Sequence, residues 1–336
     1  MSRTSRCIRV PKQEGERVRS ELKAAGSLDL RSKIGADDGC LLIPILSDGY
    51  LDYETVTAEL DERECRETDY RELLDLPPDA KEALPCSYDV IGDVLIIKLS
   101  DGLLPHRQAV GEALIATVPH IRVVMADSGV KGDLRIRELE AIAGHGPSET
   151  VHRESGARLP VDPAKVYFNP RLATERARVA AAVKEGETVI DMFAGAAPFG
   201  TVICRNARPE VVYSIDLNPD AERFARESMR LNRITNLVPI TGDARAAIRG
   251  LPPADRVIMN LPQSADLFLE DALKKTKAGG TIHLHRIAER SEAEALGAKL
   301  VSDMAARGLG LRIDSIRELK TYSPSMSVYV FDLIRT

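Results

Sequence analysis

Cysteine is scarce and scattered in this chain: five residues in 336 (Cys7, Cys40, Cys65, Cys86, Cys204), with no C-x-x-C pair. The pattern supplies neither a disulfide framework nor a zinc site, and it suggests reduced thiols. No apolar run is long enough to span a bilayer; DVLIIKL (93–99) has the length of a strand. A signal-peptide hydrophobic region is missing at the start of the sequence, so a cytoplasmic location is expected. Internal repeats and low-complexity segments are absent too. An excess of positive charge is also lacking, and the net charge of −5 argues against non-specific coating of nucleic acid.

What is present is the composition of a soluble globular protein, 44% hydrophobic and 29% charged, in a chain long enough for two or three domains. Charge is segregated. Residues 1–33 hold nine Lys/Arg against four Asp/Glu, whereas 48–72 are strongly acidic, so only the first block would attract phosphate. The expected organisation is a small N-terminal domain (1–72), a proline-punctuated linker (73–85), an α+β middle domain (86–157) and a doubly wound α/β domain (158–336). Helices are expected at 174–184, 219–232 (Asn218 as cap, Pro219 at the first position) and 265–277. The run YVFDLIR near the end is expected as a strand at a sheet edge.

The most informative stretch is Val189-Ile190-Asp191-Met192-Phe193-Ala194-Gly195, an apolar strand that ends on a carboxylate and breaks into small residues. VVYSIDLNPDA (211–221) ends a second strand on Asp216, ITGDAR (240–245) supplies Asp243, and RVIMNLP (256–262) ends on Asn260-Leu261-Pro262. Four such strand ends in order describe the rim of a parallel sheet, where ligands bind at the switch point. Asp216 sits where an acid grips ribose hydroxyls, and Asp243 is placed to accept from an adenine amino group. Each Asp can instead be a simple helix cap. A dehydrogenase is the chief rival for such a sheet, but its G-x-G-x-x-G fingerprint is replaced by Ala196-Ala197-Pro198.

This order of strand ends resembles the class I S-adenosylmethionine methyltransferases. YFNPRLATER (167–176), DMFAGAAPFG (191–200) and NLP (260–262) resemble, more narrowly, the archaeal and eukaryotic tRNA (guanine-37-N1)-methyltransferases. SYDVIGDVLIIKL (87–99) and VVMADSGVKGDLRIRELEAIAG (123–144) are similar to that family's second domain, and RVPKQEGERVRSEL to its small tRNA-reading first domain. The likeness is colinear over nearly the whole chain. It implies a Rossmann-like class I methyltransferase domain preceded by two small α+β domains, with S-adenosyl-L-methionine as donor and tRNA bearing G37 as partner. No DNA or membrane partner is expected, and the chain is expected to be monomeric. In one departure, Gly195-Ala196-Ala197 stands where the family usually has a second glycine, and the methyl of Ala197 is expected to crowd the donor or to redirect the loop. The paralogous family that transfers the donor's aminocarboxypropyl group is the nearest rival; a tRNA-binding protein without activity and a DNA or protein amino-group methyltransferase are more remote.

The resemblance also implies roles. Guanine N1 carries a proton at neutral pH, so methylation needs a base, and Glu175 in Thr-Glu-Arg is the candidate; an ordinary salt bridge to Arg176 or Arg178 is the alternative. Charge developing on guanine O6 calls for a cation. Arg135 matches the family's functional arginine by spacing, and Arg137, on the same strand face, competes with it. Asn260 is implied to hold the target base. The implied donor site comprises Tyr167, Arg176, Asp191, Phe193, Ala194, Gly195, Asp216, Leu217, Asp243, Ala244, Asn260 and Pro262, although Tyr167 and Phe168 can equally be core aromatics. Lys12, Arg17, Arg19 and Lys23 are phosphate contacts or a solvated helix face. KTYSPSMS (320–327) lines the nucleotide pocket or forms a turn. His283 and His285 are read as facing opposite sides of a strand, and no metal site is expected.

Overall fold

The computed structural model describes residues 2–24, 27–29, 32–46, 53–61, 69–132, 134, 136–323 and 325–336. The chain divides into two compact units, Met1–Leu73 and Leu74–Thr336.

In the first unit an antiparallel sheet is formed by β1 (Ser2–Pro11), β2 (Gly35–Asp37), β3 (Cys40–Pro44) and β4 (Thr55–Asp61), in the order β2-β3-β1-β4. Helix α1 (Gly15–Ala24) places Val18 and Leu22, four apart and therefore on one face, into a core with Ile8, Val10 and Ile43. Its outer face carries Arg17, paired with Glu14 and Glu21 at 2.6 and 3.0 Å, and Arg19, paired with Glu16 at 2.7 Å. Those arginines form a solvated, self-paired face in this state. The Lys23 side chain lies outside the described residues, as does Gly26, the expected helix stop.

The second unit begins with the stretch expected as a linker, which is anchored by buried Leu74 and Leu84 on either side of the short helix α2 (Pro78–Glu82). A four-stranded sheet follows: β5 (Asp89–Ile91), β6 (Val94–Ile97), β7 (Val123–Lys131) and β8 (Ile136–Gly144), in chain order across the sheet. Helix α3 (Arg107–Thr117) connects the parallel pair β6 and β7. The hairpin of β9 (Thr150–Glu154) and β10 (Ala157–Val161) leads on to α4 (Ala173–Ala182). Ile91, Val94, Ile96 and Met125 of the four-stranded sheet share one core cluster with Val161, Phe168, Val189 and Phe199. The segment 86–157 therefore packs into the larger unit by a continuous apolar core.

The main sheet has seven strands: β11 (Thr188–Asp191), β12 (Val211–Asp216), β13 (Leu237–Thr241), β14 (Ala254–Met259), β15 (Thr276–Glu289), β16 (Leu311–Thr321) and β17 (Met326–Arg335). Their order is β13-β12-β11-β14-β15-β17-β16, parallel from β13 to β15 and antiparallel beyond. The order reverses between β11 and β14, and that is the switch point. Helices α5 (Pro198–Asn206), α6 (Pro219–Asn232), α7 (Ala244–Gly250), α8 (Leu269–Lys275) and α9 (Ala293–Ala305) cover the faces. Alternate residues feed opposite cores: Val189 and Ile258 one, Ile190, Val257 and Met259 the other, as the two-residue period of a strand requires. Helix α6 shows why the pattern folds locally. Asn218 caps it through Oδ1, which accepts from the Asp220 N–H at 3.0 Å; Pro219 opens it; Ala221, Phe224, Ala225 and Ser228 form its buried stripe.

The expectation for YVFDLIR is corrected. β17 lies between β15 and β16, buried from Ser327 to Leu333, and β16 is the edge. From Val328 to Leu333 the strand is apolar at every position but Asp332 and is buried on both faces, which places it inside a sheet.

Candidate active site

The site grows from the strand ends on either side of the switch point. After Asp191 the chain turns through Met192 to Gly195 before α5 begins at Pro198. Asp216, at the end of β12, ties this turn down: its Oδ2 accepts from the Gly195 N–H at 2.6 Å and its Oδ1 from the Asn218 N–H at 2.9 Å. Burial raises the Asp216 carboxyl above its ordinary range, and the two backbone donors partly offset this. Gly195 is required here, since its φ is +53° and a Cβ would meet the Tyr167 carbonyl oxygen at 2.9 Å. Asp243 caps α7, its Oδ1 accepting from the N–H groups of Arg245 and Ala246, both at 3.0 Å. Its second oxygen has no partner among the described residues. Capping and ligand contact are therefore compatible on one carboxylate.

Between these ends lies a cavity of about 250 Å³. Tyr167, Phe193, Gly195, Asp216, Leu217, Asp243, Ala244, Asn260 and Pro262 line it, so the structure brings nine of the expected donor residues together. It adds Leu134, Met192, Gly242, Leu261, Gln263, Phe268, Ile287, Lys320, Tyr322 and Val328. Met192 and Leu261 sit inside the motifs already singled out. Phe268, packed edge-on against Phe193 at 5.0 Å, had no sequence signal beyond being one of six phenylalanines. The segment 320–327 contributes Lys320 and Tyr322 to the lining and also makes a turn, in which the Tyr322 N–H donates to the Met326 carbonyl at 2.9 Å. Two acidic acceptors and aromatic walls suit a neutral or cationic nucleoside better than a phosphate.

Several expected residues lie elsewhere. Arg176 is 1% exposed, its guanidinium gripping the Glu154 carboxylate and donating to the Asn169 carbonyl at 3.1 Å. Every strong donor of Arg176 is turned toward the fold, and it does not line the cavity. Asp191 is fully buried beneath the turn, where burial pushes its carboxyl up to about 8, with Oδ1 accepting from the Phe193 N–H at 3.4 Å. Ala194 is buried too, its N–H donating to the Ile215 carbonyl at 2.8 Å. Asp191 and Ala194 thus shape the turn from behind. Arg135 lies outside the described residues. Arg137 is paired with Asp127 and Asp89, both at 3.1 Å, and is not part of the lining.

Ala197 does not crowd the cavity. It is buried in the core with φ +57°, so its cost is a left-handed backbone at the start of α5. A glycine at this position is explained by that conformation.

Glu175 lies off the cavity lining, in a buried ionic lattice. Its carboxylate accepts from Arg178 at 2.9 and 2.7 Å and from Arg317 at 3.3 Å. Arg178 also pairs with Asp332 at 3.1 Å and Arg317 does so at 3.5 Å. His283 donates from Nδ1 to Asp332 and accepts from Arg256 at Nε2, 2.8 Å away. Burial favours the neutral acid at Glu175, but the Arg178 hydrogen bonds and the surrounding cations outweigh it and hold the carboxyl below its usual range. Burial likewise opposes ionisation of Asp332, yet the hydrogen bond and electrostatic pull of His283, with the Arg178 charge, drive it far down. The reading of the two histidines is corrected: residues two apart on a strand share a face, and both are buried on the side of Glu175. Among the described residues no three His, Cys, Asp or Glu side chains gather in a way that would hold a metal.

Comparison with known proteins follows this geometry. A TRM5/TYW2 methyltransferase domain matches residues 150–305, a TYW2 N-terminal domain 70–147, and a tRNA methyltransferase 5 N-terminal domain 7–49. The chain is 38% identical over 319 residues to the tRNA (guanine(37)-N(1))-methyltransferase Trm5b of Pyrococcus abyssi, covering 94% of this chain and 95% of that one. It is 30% identical to the tRNA(Phe) (4-demethylwyosine(37)-C(7)) aminocarboxypropyltransferase of Methanocaldococcus jannaschii, over 73% of this chain and 96% of that one. Among solved structures, the complex of aTrm5 with tRNALeu aligns at a TM-score of 0.70 and 32% identity, covering 98% of this chain and 99% of that one.

Proposed function

Since this chain belongs to the TRM5/TYW2 methyltransferase family, we propose that it transfers a methyl group from S-adenosylmethionine to N1 of guanosine 37 in tRNA. The observation that carries this reading is end-to-end likeness to a protein of that activity, first domain included. The aminocarboxypropyltransferase relative covers less of the chain. A cytoplasmic location fits a tRNA substrate.

The cavity suits the donor on chemical grounds. Asp216 keeps lone pairs beyond those used by Gly195 and Asn218, enough to accept from ribose hydroxyls. The unpartnered oxygen of Asp243 accepts from an adenine amino group, and Phe193 and Phe268 supply flat apolar walls. Tyr167 closes the cavity beside Gly195. S-adenosylmethionine supplies an electrophilic methyl on a sulfonium, and carboxylates nearby tolerate that positive charge.

Guanine 37 lies in a loop, where extrusion from the stack costs only a few kcal/mol. Asn260 would hold the extruded base with N1 toward the methyl, and Pro262 would shape the wall beside it. Glu175 would accept the N1 proton; Arg178 and Arg317 keep it ionised and ready. It must turn from the arginines toward the cavity as guanine enters, since hydrogen bonds of catalytic groups often tighten only in the complex. Orientation of the two reactants contributes separately.

Methyl transfer from labelled donor to an unmodified transcript carrying G37, beside the same transcript carrying A37, tests the proposal. Label in the first and none in the second is expected. Equal label in both would overturn the position, and label from the aminocarboxypropyl carbons instead of the methyl would move the chain to the other branch of the family.

A further inference from the structure

Beside the strand end that carries Asn260 lies a buried imidazole that the chemistry above does not use. His285 of β15 is fully buried. Its neighbour Leu284 pairs with Met259 of β14, and the Ile287 N–H donates to the Pro262 carbonyl at 2.9 Å. Residues 284–287 therefore run alongside 259–262, with His285 in step with Asn260. The Phe199 ring of α5 packs edge-on against it, centroids 6.0 Å apart. The groups that act on it electrostatically are Glu175 of α4, Asp332 of β17, His283 of its own strand and the Met259 carbonyl of β14. Burial is the largest influence and, against the pull of Glu175, pushes the ring down to about 4, so it is neutral at pH 7. A neutral imidazole has one N–H and one bare nitrogen. Neither ring nitrogen of His285 has a hydrogen-bond partner among the described residues. A buried polar group without a partner costs stability and calls for a reason; a phenylalanine would fill the space at no such cost.

The reason lies in what happens to Glu175. As a carboxylate it only accepts hydrogen bonds, and Arg178 and Arg317 supply them. Once it has taken a proton it must also donate, and a guanidinium has no acceptor. Asp332, the other acid of the lattice, is already occupied by Arg178, Arg317, His283 and Ser315. A bare imidazole nitrogen cannot bond to an ionised carboxylate, since both are acceptors. It can bond to the protonated acid, so the missing partner of the resting state is the one that the reaction creates.

We infer that His285 is a positioning residue for the general base, its bare ring nitrogen accepting a hydrogen bond from Glu175 once that side chain has taken the proton of guanine N1. This rests on the methyl-transfer reading above. In the step, the N1–H bond breaks and its proton passes to a Glu175 oxygen. The bond from N1 to the methyl carbon forms while the carbon–sulfur bond breaks, its electron pair staying on sulfur to leave a neutral thioether. The proton remains on Glu175, hydrogen-bonded to His285, until the product leaves. An acceptor that serves only the protonated acid raises its proton affinity, whereas the arginines lower it. Glu175 is thereby ionised at rest and still basic enough to take the proton.

The test uses the full chain and a G37 transcript in single-turnover methyl transfer. His285→Phe keeps an aromatic ring in the core and removes both nitrogens. Its rate is expected to fall about 10-fold, the worth of one hydrogen bond, with donor and transcript affinities unchanged. His285→Gln, whose amide oxygen accepts, restores most of the rate. The acid limb of the pH–rate profile is expected about one pH unit lower in His285→Phe, because a base without that acceptor is weaker. In a Glu175→Gln background, which takes no proton, His285→Phe has no further effect. His285→Leu reads the same comparison where the phenylalanine is not accommodated. A wild-type rate and limb in the apolar variant overturns the assignment. An equal loss in both backgrounds overturns it too, since that marks packing alone, and so does a rate as low in His285→Gln as in His285→Phe. If the wild-type protein labels neither transcript, the methyl-transfer reading fails and this inference falls with it. Label from the wild type beside an unimpaired His285→Phe sinks the inference alone.

Discussion

Two neighbourhoods of the larger unit treat a carboxylate in opposite ways. At the strand ends Asp216 and Asp243 are held by backbone N–H groups, with no ion-pairing arginine among the described residues. On one face of the sheet, Glu175 and Asp332 are held by Arg178 and Arg317. Backbone donors orient a carboxylate without neutralising it, and leave lone pairs for a ligand's hydroxyl and amino groups. Guanidinium groups fix the ionised state and occupy the oxygens that a ligand would need. The first arrangement suits a binding acid, and the second suits a base kept deprotonated until its substrate arrives.

Substitution at Glu175 is expected to have the largest effect. Glu175→Gln keeps an acceptor for the arginines and loses the base, so single-turnover transfer should fall roughly 10²–10⁴-fold while the thermal transition stays near wild type. An active Glu175→Gln would make the lattice purely structural. Next is Arg176→Met, which leaves the Glu154 carboxylate buried and short of its partner. A loss of about 3–5 kcal/mol in denaturant unfolding is expected, with unchanged donor affinity in the folded protein. A selective loss of donor affinity would return Arg176 to the donor site.

The buried Asp191 gives a pH test of the backbone-held neighbourhood. Its folded carboxyl is raised to about 8, above the unfolded value of about 3.9. Between these values the folded state keeps a proton that the unfolded chain releases, so stability falls as pH rises through the window. Melting temperatures across that range should decline in the wild type and decline less in Asp191→Asn. Parallel curves would show that Asp191 is ionised in the folded state. The smallest effect is expected at Ala197. Replacing it with glycine relieves a left-handed backbone worth about 1–2 kcal/mol. It also adds unfolded-state freedom of about 0.5–1 kcal/mol and removes a buried methyl worth about 0.8 kcal/mol. Near-neutral stability and unchanged donor affinity are expected from calorimetry. Tighter donor binding by Ala197→Gly would restore the crowding idea.

These contrasts also show what could be read in advance. The four strand ends were legible because each is a local event: a β-branched run, a small or acidic residue, then a turn. Eight of the nine expected residues that line the cavity lie at or beside them, and the family resemblance supplied the ninth, Tyr167. The expectations that the structure places elsewhere were also read locally. Arg176 stands beside Glu175 in sequence, but its partner Glu154 lies on β9. The run YVFDLIR is obviously a strand, yet nothing within it reveals that β16 pairs along its outer side. Lys320 and Tyr322 enter the cavity only because β17 is inserted between β15 and β16 and carries their edge strand into register with Ile287.

The sequence by itself determined the periodic elements, the parallel half of the main sheet, and the acids at its rim, since strand period, caps and turn residues act over a few positions. Tertiary structure alone decided which carboxylates meet arginine and which meet backbone. Those partners come from separate elements, 142 residues apart for Glu175 and Arg317, and only the pairing and packing of the sheet bring them within hydrogen-bond reach.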